Sequence, residues 1–267
     1  MSTVVFPTMG TMASLRFRDA PPAPDRSGGD VLQAVRDNFE ELEQRFSLYR
    51  ADSEISRIND GSERLTRASA PMLAAYELAL RWRDDTAGVF TPHRPDGLLD
   101  LSGVVKALAI EDAGRLLHEA GVRDWLVTVG GDTLSDGQEA EANLPDGTPG
   151  AGTAGLWTAG IVDPLDRSAL LCVVPFTGGW RAIATSGTSE RGEHIWRRPE
   201  SGDLVQVSVL AAGIVTADVL ATAILAGGSE TLNLVTERWD IDVLTVDASG
   251  GLAMTPRLRE RYLSPAR

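Results

Sequence analysis

The chain of 267 residues has one cysteine, Cys172, and three histidines, His93, His118 and His194. A single thiol excludes an intrachain disulfide and any cysteine cluster for zinc or iron–sulfur. Cys172 lies in the strand-like run Leu170 to Val174 and reads as a core thiol. Three scattered histidines leave little basis for a two- or three-histidine metal site. His118 falls late in an expected helix, where it suits the dipole, and His93 sits in a loop beside Pro92. Several common signatures are missing as well. No G-x-G-x-x-G opens a helix after a strand, and neither a Walker A nor a G-x-S-x-G sequence occurs. Internal repeats of fixed period are absent too.

Positive charge is in deficit, with a formal net charge of -13. Nucleic acid and anionic membrane surfaces are therefore poor partners, although a local basic cleft for a dinucleotide is still compatible with that balance. No basic start leads into an apolar run of signal-peptide kind. The longest apolar-rich stretch, Val207 to Gly228, is interrupted by Asp218 and several glycines and falls short of a membrane span. These features lead to the expectation of a cytoplasmic protein with no membrane anchor.

The pattern that is present is α+β. Val4 to Phe6 and Ser14 to Phe17 read as strands around a turn at Met9-Gly10-Thr11. Asp30 caps a helix whose Val31, Val35, Phe39, Leu42 and Phe46 recur at spacings of three and four. A short helix follows from Ser53 to Asn59, and another opens at Ser69 with Pro71 in its first turn. Leu98 to Leu101 is strand-like and leads into a helix from Val104 to Ala120, closed by Gly121. Trp125 to Val129 runs as a strand into Gly130-Gly131-Asp132. The Gly-, Pro- and acid-rich stretch from Ser135 to Gly155 reads as an exposed loop. Further strands are expected at Leu156 to Val162, Leu170 to Pro175, Arg181 to Thr185 and Leu204 to Leu210. Thr216 caps a helix to Leu225, a second helix covers Glu230 to Trp239, and Val243 to Val246 and Leu252 to Met254 close the fold. Without regular βαβ alternation, this order favours α+β over a doubly wound sheet.

A few polar residues stand in unusual places. Asp218 and Thr222 are four apart on an otherwise Ala, Val, Leu and Ile helix, so they share a face. An acid on such a helix either opens its first turn, where the dipole favours it, or is buried with a cation. Carboxylate and hydroxyl oxygens are hard ligands that suit magnesium. Lys106 lies where a strand-like run meets a helix start, either as a surface ion pair or as a charge for an anion. His194 follows a strand and a Gly-rich polar loop, a position open to an acid–base role. Gly130-Gly131 admits close approach of a ligand or an ordinary turn.

The order of these features resembles the ApbE family of FAD:protein FMN transferases, from about Phe6 to Leu252. Met9-Gly10-Thr11 looks like its M-G-T. Phe46 to Arg50, followed by Asp52 to Asn59, resembles F-S-x-Y-R-x-D-S-E-x-S-x-x-N, the most specific block. Gly88-Val89-Phe90 is similar to G-A-F, Asp100 to Lys106 to D-x-x-x-x-x-K, and Gly130-Gly131-Asp132 to G-G-D or G-G-N. Ala184 to Gly187 matches A-T-S-G, His194-Ile195 the H-I block, and Thr216 to Ala223 the T-A-D-x-x-A-T-A helix.

The resemblance implies a single α+β domain over 1–255, related to the T-fold, with mixed or antiparallel sheets packed by helices and a peripheral basic tail over 256–267. It implies that FAD is bound by Met9, Tyr49, Val89, Phe90, Thr91, Asp100, Lys106 and Ile195. Magnesium would be held by the side chains of Asp218 and Thr222 and the carbonyls of Gly103 and Ala221. His194 would be the catalytic base that helps deprotonate a Thr or Ser of a target flavoprotein, which receives FMN as AMP is released. Three departures bear on that reading. His194-Ile195 is followed by Trp196-Arg197-Arg198-Pro199 instead of I-D-P, Thr91 stands for the usual aspartate, and Ala107 and Glu111 replace the glycine and aspartate of K-G-x-x-x-D. They leave open an FAD pyrophosphatase giving FMN and AMP, or an FAD-binding protein of weak turnover.

Overall fold

The computed structural model describes residues 1–19, 30–137, 156–177, 179–188 and 202–263. Strands β1 (Ser2–Thr8) and β2 (Thr11–Phe17) are followed by helices α1 (Val31–Phe46), α2 (Glu54–Asn59), α3 (Ala70–Asp85) and α4 (Ser102–Glu119). Next come β3 (Trp125–Val129), β4 (Asp132–Asp136), β5 (Thr158–Val162), β6 (Leu170–Pro175), β7 (Ala182–Gly187) and β8 (Leu204–Ala211). Helix α5 (Ile214–Arg238), strands β9 (Asp242–Asp247) and β10 (Leu252–Met254) and helix α6 (Pro256–Leu263) complete the order.

One eight-stranded sheet runs β1-β2-β3-β4-β7-β8-β9-β10, and β5-β6 form a separate hairpin. Every pairing between these strands is antiparallel. The period-two alternation of strands divides the side chains between two faces. Ala182, Ala184, Val207 and Val209 join the larger core, against α5. Leu126, Ile183, Leu210 and Leu244 join a smaller core with Trp157, Ile161 and Phe176 of the hairpin region.

Local signals explain the helix positions. Asp30 accepts from the amides of Leu32 and Gln33 at 2.9 and 3.3 Å, a cap of about 1 kcal/mol. Val35, Phe39 and Phe46 of α1 are buried, as their spacing requires. Several expectations need correction; Ser135, read as the start of an exposed loop, is buried in β4. Leu98 to Leu101 forms no strand, only an isolated bridge between His93 and Leu99. The helix expected from Thr216 begins earlier, with Gly213 as its N-cap, because the apolar face already starts at Ile214 and Val215. It also continues to Arg238, so the two expected helices are segments of one, broken at Gly228 (φ 69°, ψ -152°).

Helix α5 is, by length and composition, apolar enough to cross a membrane, which the reading of the sequence did not anticipate. Its buried residues, including Ala217, Leu220 and Ile224, belong to the large core beside α4, β7 and β8. The described start of the tail, at α6, is tied down and is not merely peripheral. Leu258 is buried in the smaller core, and Arg257 reaches Asp242 at 3.2 Å.

Candidate functional site

A backbone turn and a helix deliver opposite charges to one place between α4, α5 and the sheet. Gly130 and Gly131 end β3 with positive φ (57° and 94°), a conformation that glycine adopts without strain. Asp132 follows at the start of β4 with its side chain fully buried. Its Oδ1 accepts from the amide of Thr185 on β7 at 3.0 Å, and its Oδ2 lies against Lys106 Nζ. Lys106 is one turn into α4 and also stands 3.6 Å from Asp218 Oδ1. Because α5 begins at Ile214, Asp218 lies in its second turn and is 3% exposed, so the first-turn explanation of this acid does not apply. One turn on, Thr222 Oγ1 is 3.1 Å from Ser186 Oγ of β7.

Two buried carboxylates therefore meet one ammonium, an arrangement that is expensive unless further compensated. The donors here are carboxylate and hydroxyl oxygens, the chemistry of a hard divalent cation. Among the described residues, no group of three or more His, Cys, Asp or Glu side chains gathers as a metal cluster. A cation at Asp218 and Thr222 would thus have to draw on backbone carbonyls as well, and Gly103 and the buried Ala221 lie on the two helices that flank the site.

The loop before α4 is packed against both helices. A Cβ on Gly103 would lie 2.8 Å from the ring of Phe90, so the absent side chain is what seats that ring. A Cβ on Gly227 would come within 2.8 Å of Val89 Cγ1, which places Val89 beside the break in α5. Thr91 Oγ1 accepts from the amide of His93 at 3.2 Å, and Asp100 Oδ1 accepts from that of Ser102 at 2.9 Å, at the start of α4.

The long block from Phe46 to Asn59 holds that loop from the other side. Ser53 Oγ caps α2 through the Ser56 amide at 3.1 Å and donates to Ser47 O at 2.7 Å. Glu54 is buried, accepting from the Ser69 amide and hydroxyl at 2.5 and 2.7 Å. Asn59 bonds both backbone groups of Leu99, at 2.8 and 2.9 Å. The block therefore serves largely as a brace for the approach to α4.

Lys106, Asp218 and Thr222 are thus brought together, with Gly103, Val89 and Phe90 at the flanking contacts. Met9 sits at the turn between β1 and β2, its amide bonded to Glu43 at 2.9 Å. Tyr49 stands 85% exposed between α1 and α2. His194 and Ile195 lie outside the described residues. Asp132, Thr185 and Ser186 entered the reading of the sequence only as parts of motifs. Their signal was the position of an acid after a glycine pair and of hydroxyls at the end of a strand.

The family model for the ApbE family matches residues 9–95 and 92–245. A curated protein of Vibrio cholerae named FAD:protein FMN transferase is 27% identical over 90% of this chain and 85% of its own length. The protein of that name from Escherichia coli K12 is 30% identical over 58% of this chain and 44% of its own length. Among solved structures, the flavin transferase ApbE from Vibrio cholerae superposes with a TM-score of 0.70, at 23% identity over 95% of this chain and 96% of that one. The ApbE protein of Thermotoga maritima gives 0.72 at 17% identity, over 97% and 98%. The solved structures share the antiparallel α+β fold, the family model takes in most of the sequence, and the chain belongs to the ApbE family.

Proposed function

We propose that this chain is an FAD:protein FMN transferase that depends on magnesium and modifies a Thr or Ser hydroxyl of a target flavoprotein. The relatives' shared name supports transfer of FMN from FAD to protein. The observation that carries the metal-dependent reading is the group of Lys106, Asp132, Asp218 and Thr222, whose two carboxylates are buried. Asp218 and Thr222, with the carbonyls of Gly103 and Ala221, would hold the magnesium ion. When bound, that ion supplies charge stabilisation to the pyrophosphate.

The chain's own residues do the rest. Lys106 presents a fixed positive charge towards the phosphates at the start of α4. Phe90 and Val89, seated on Gly103 and Gly227, would shape the wall of the flavin site, and the family resemblance adds Thr91, Asp100, Met9 and Ile195 as its other contacts. The exposed ring of Tyr49 offers a face for stacking on a flat ligand. The acceptor hydroxyl oxygen bonds to the FMN phosphorus, and the bond from that phosphorus to the bridging oxygen breaks. AMP leaves with that oxygen, and the hydroxyl proton passes to His194 as general base. Alignment of these groups contributes more than covalent chemistry in reactions of this type.

The test mixes the protein with FAD and magnesium, with and without a flavoprotein acceptor domain, and resolves the products by mass spectrometry. An acceptor heavier by one FMN, with AMP, is the expected result. Free FMN and AMP with unmodified acceptor would make the chain a pyrophosphatase. Intact FAD in every mixture across a panel of acceptors would make it a binding protein.

A further inference from the structure

Lys106 is the chain's only lysine, and the other 24 of its 25 basic Lys and Arg residues are arginine. A side chain used nowhere else marks a place where a compact ammonium is needed and a planar guanidinium does not serve. The lysine stem is flexible, with four methylenes, so its charge has to be held if it is to act at one point. The nearest group is Asp132, which is wholly buried, fixed through Oδ1 by the Thr185 amide and through the chain by the Gly130-Gly131 turn. The contact with Asp218 is longer, 3.6 Å. A buried carboxylate is costly to keep, and Asp132 faces the lysine from the sheet while Asp218 faces it from α5.

We propose that Asp132 is a positioning residue for Lys106. It holds the ammonium away from Asp218, so that Asp218 keeps its charge for a divalent cation while Lys106 stays aimed at the phosphates. This inference rests on the reading of the cluster as an FAD and magnesium site. Without Asp132, the ammonium moves towards Asp218, already 3.6 Å away, and lysine and cation then compete for that carboxylate.

A single lysine makes that competition directly visible. Protein labelled with 13C,15N-lysine gives one side-chain Cε/Nζ signal. In the unaltered protein, this signal is expected to move little when magnesium is added. In Asp132→Asn, it should lie elsewhere without metal and move at least threefold further on adding magnesium, as the cation displaces the ammonium. Binding of Mn2+, read by electron paramagnetic resonance, should weaken about tenfold in Asp132→Asn, and Asp132→Glu should recover most of the loss. Circular dichroism checks that each variant is folded.

Equal magnesium shifts in the unaltered protein and Asp132→Asn, with Mn2+ bound to both, would overturn the role of Asp132 alone. Failure of the unaltered protein to bind Mn2+ would overturn the metal reading itself. Should Asp132→Asn not fold, titration of the unaltered protein still decides. A large magnesium-driven shift of its lysine signal would show that Asp218, and not Asp132, holds Lys106.

Discussion

The two faces of the large sheet each bury carboxylates but treat them differently. On the side of the hairpin and α6, Asp242 is 1% exposed and well provided for. Thr255 Oγ1 donates to its Oδ1 at 2.5 Å, and Arg257 Nε donates to its Oδ2 at 3.2 Å. Arg257 in turn lies 4.4 Å over the ring of Trp180 and pairs with exposed Asp240 at 2.7 Å. On the helical side, Asp132 and Asp218 share one lysine. The first arrangement closes its charges locally and can serve stability alone. The second sets two buried carboxylates against one lysine, beside the hydroxyls of Thr222 and Ser186, an oxygen-rich lining that suits the proposed cation.

The largest effect expected from that difference is at Asp218. Asp218→Ala should lower magnesium-dependent FMN transfer by at least about 100-fold while the fold persists, because the variant removes the carboxylate proposed to hold the cation and leaves a small apolar side chain in its place. Full activity in magnesium would end the metal assignment. Circular dichroism and a melting curve separate lost chemistry from lost structure. Some gain in stability is compatible with the reading, since one of two buried like charges has gone.

The opposite outcome is expected across the sheet. Arg257→Ala leaves Asp242 buried with only the Thr255 hydroxyl and removes the guanidinium from Trp180. We expect a loss of about 2 kcal/mol, a fall in Tm of several degrees, and FMN transfer per folded molecule within twofold of the unaltered protein. An unchanged Tm would mean that the two faces do not differ as described.

The contrast also shows where the sequence was readable. Helix α1 was legible because Asp30 and the apolar spacing from Val31 to Phe46 agree with each other. The pairing of Asp218 with Thr222 on one face followed from helical geometry alone. The start of α5 was not legible, because Thr216 is a good cap by type while the real cap, Gly213, makes no side-chain bond. Leu98 to Leu101 has strand composition, yet Asn59 holds Leu99 through both its backbone groups, in the place of a neighbouring strand. Asp132 was visible as part of a motif, but its partner is 26 positions away on another element, and no local pattern carries such a contact. Tertiary packing decided each of these cases.

The smallest expected effect concerns α4 itself, the helix that carries Lys106. Glu111 lies on this helix as an exposed side chain, yet desolvation by its surroundings pushes its carboxyl above the usual 4.5, with Asp112 adding a smaller push in the same direction. A raised carboxyl pKa favours the folded state when the group is protonated, so this contribution is present at low pH and is lost as pH rises through the raised value. At neutral pH the ionised Glu111 is therefore a mild penalty. Glu111→Gln keeps the shape and removes the charge, and it should raise Tm slightly at pH 7. The gain should shrink on acidification and vanish below about pH 4, where the native glutamate is protonated in both folded and unfolded chains. A gain that persisted at low pH would mean that packing, and not charge, set the effect. A loss at pH 7 would mean that ionised Glu111 has a stabilising partner and belongs with Asp242, among the carboxylates whose charge the fold has provided for.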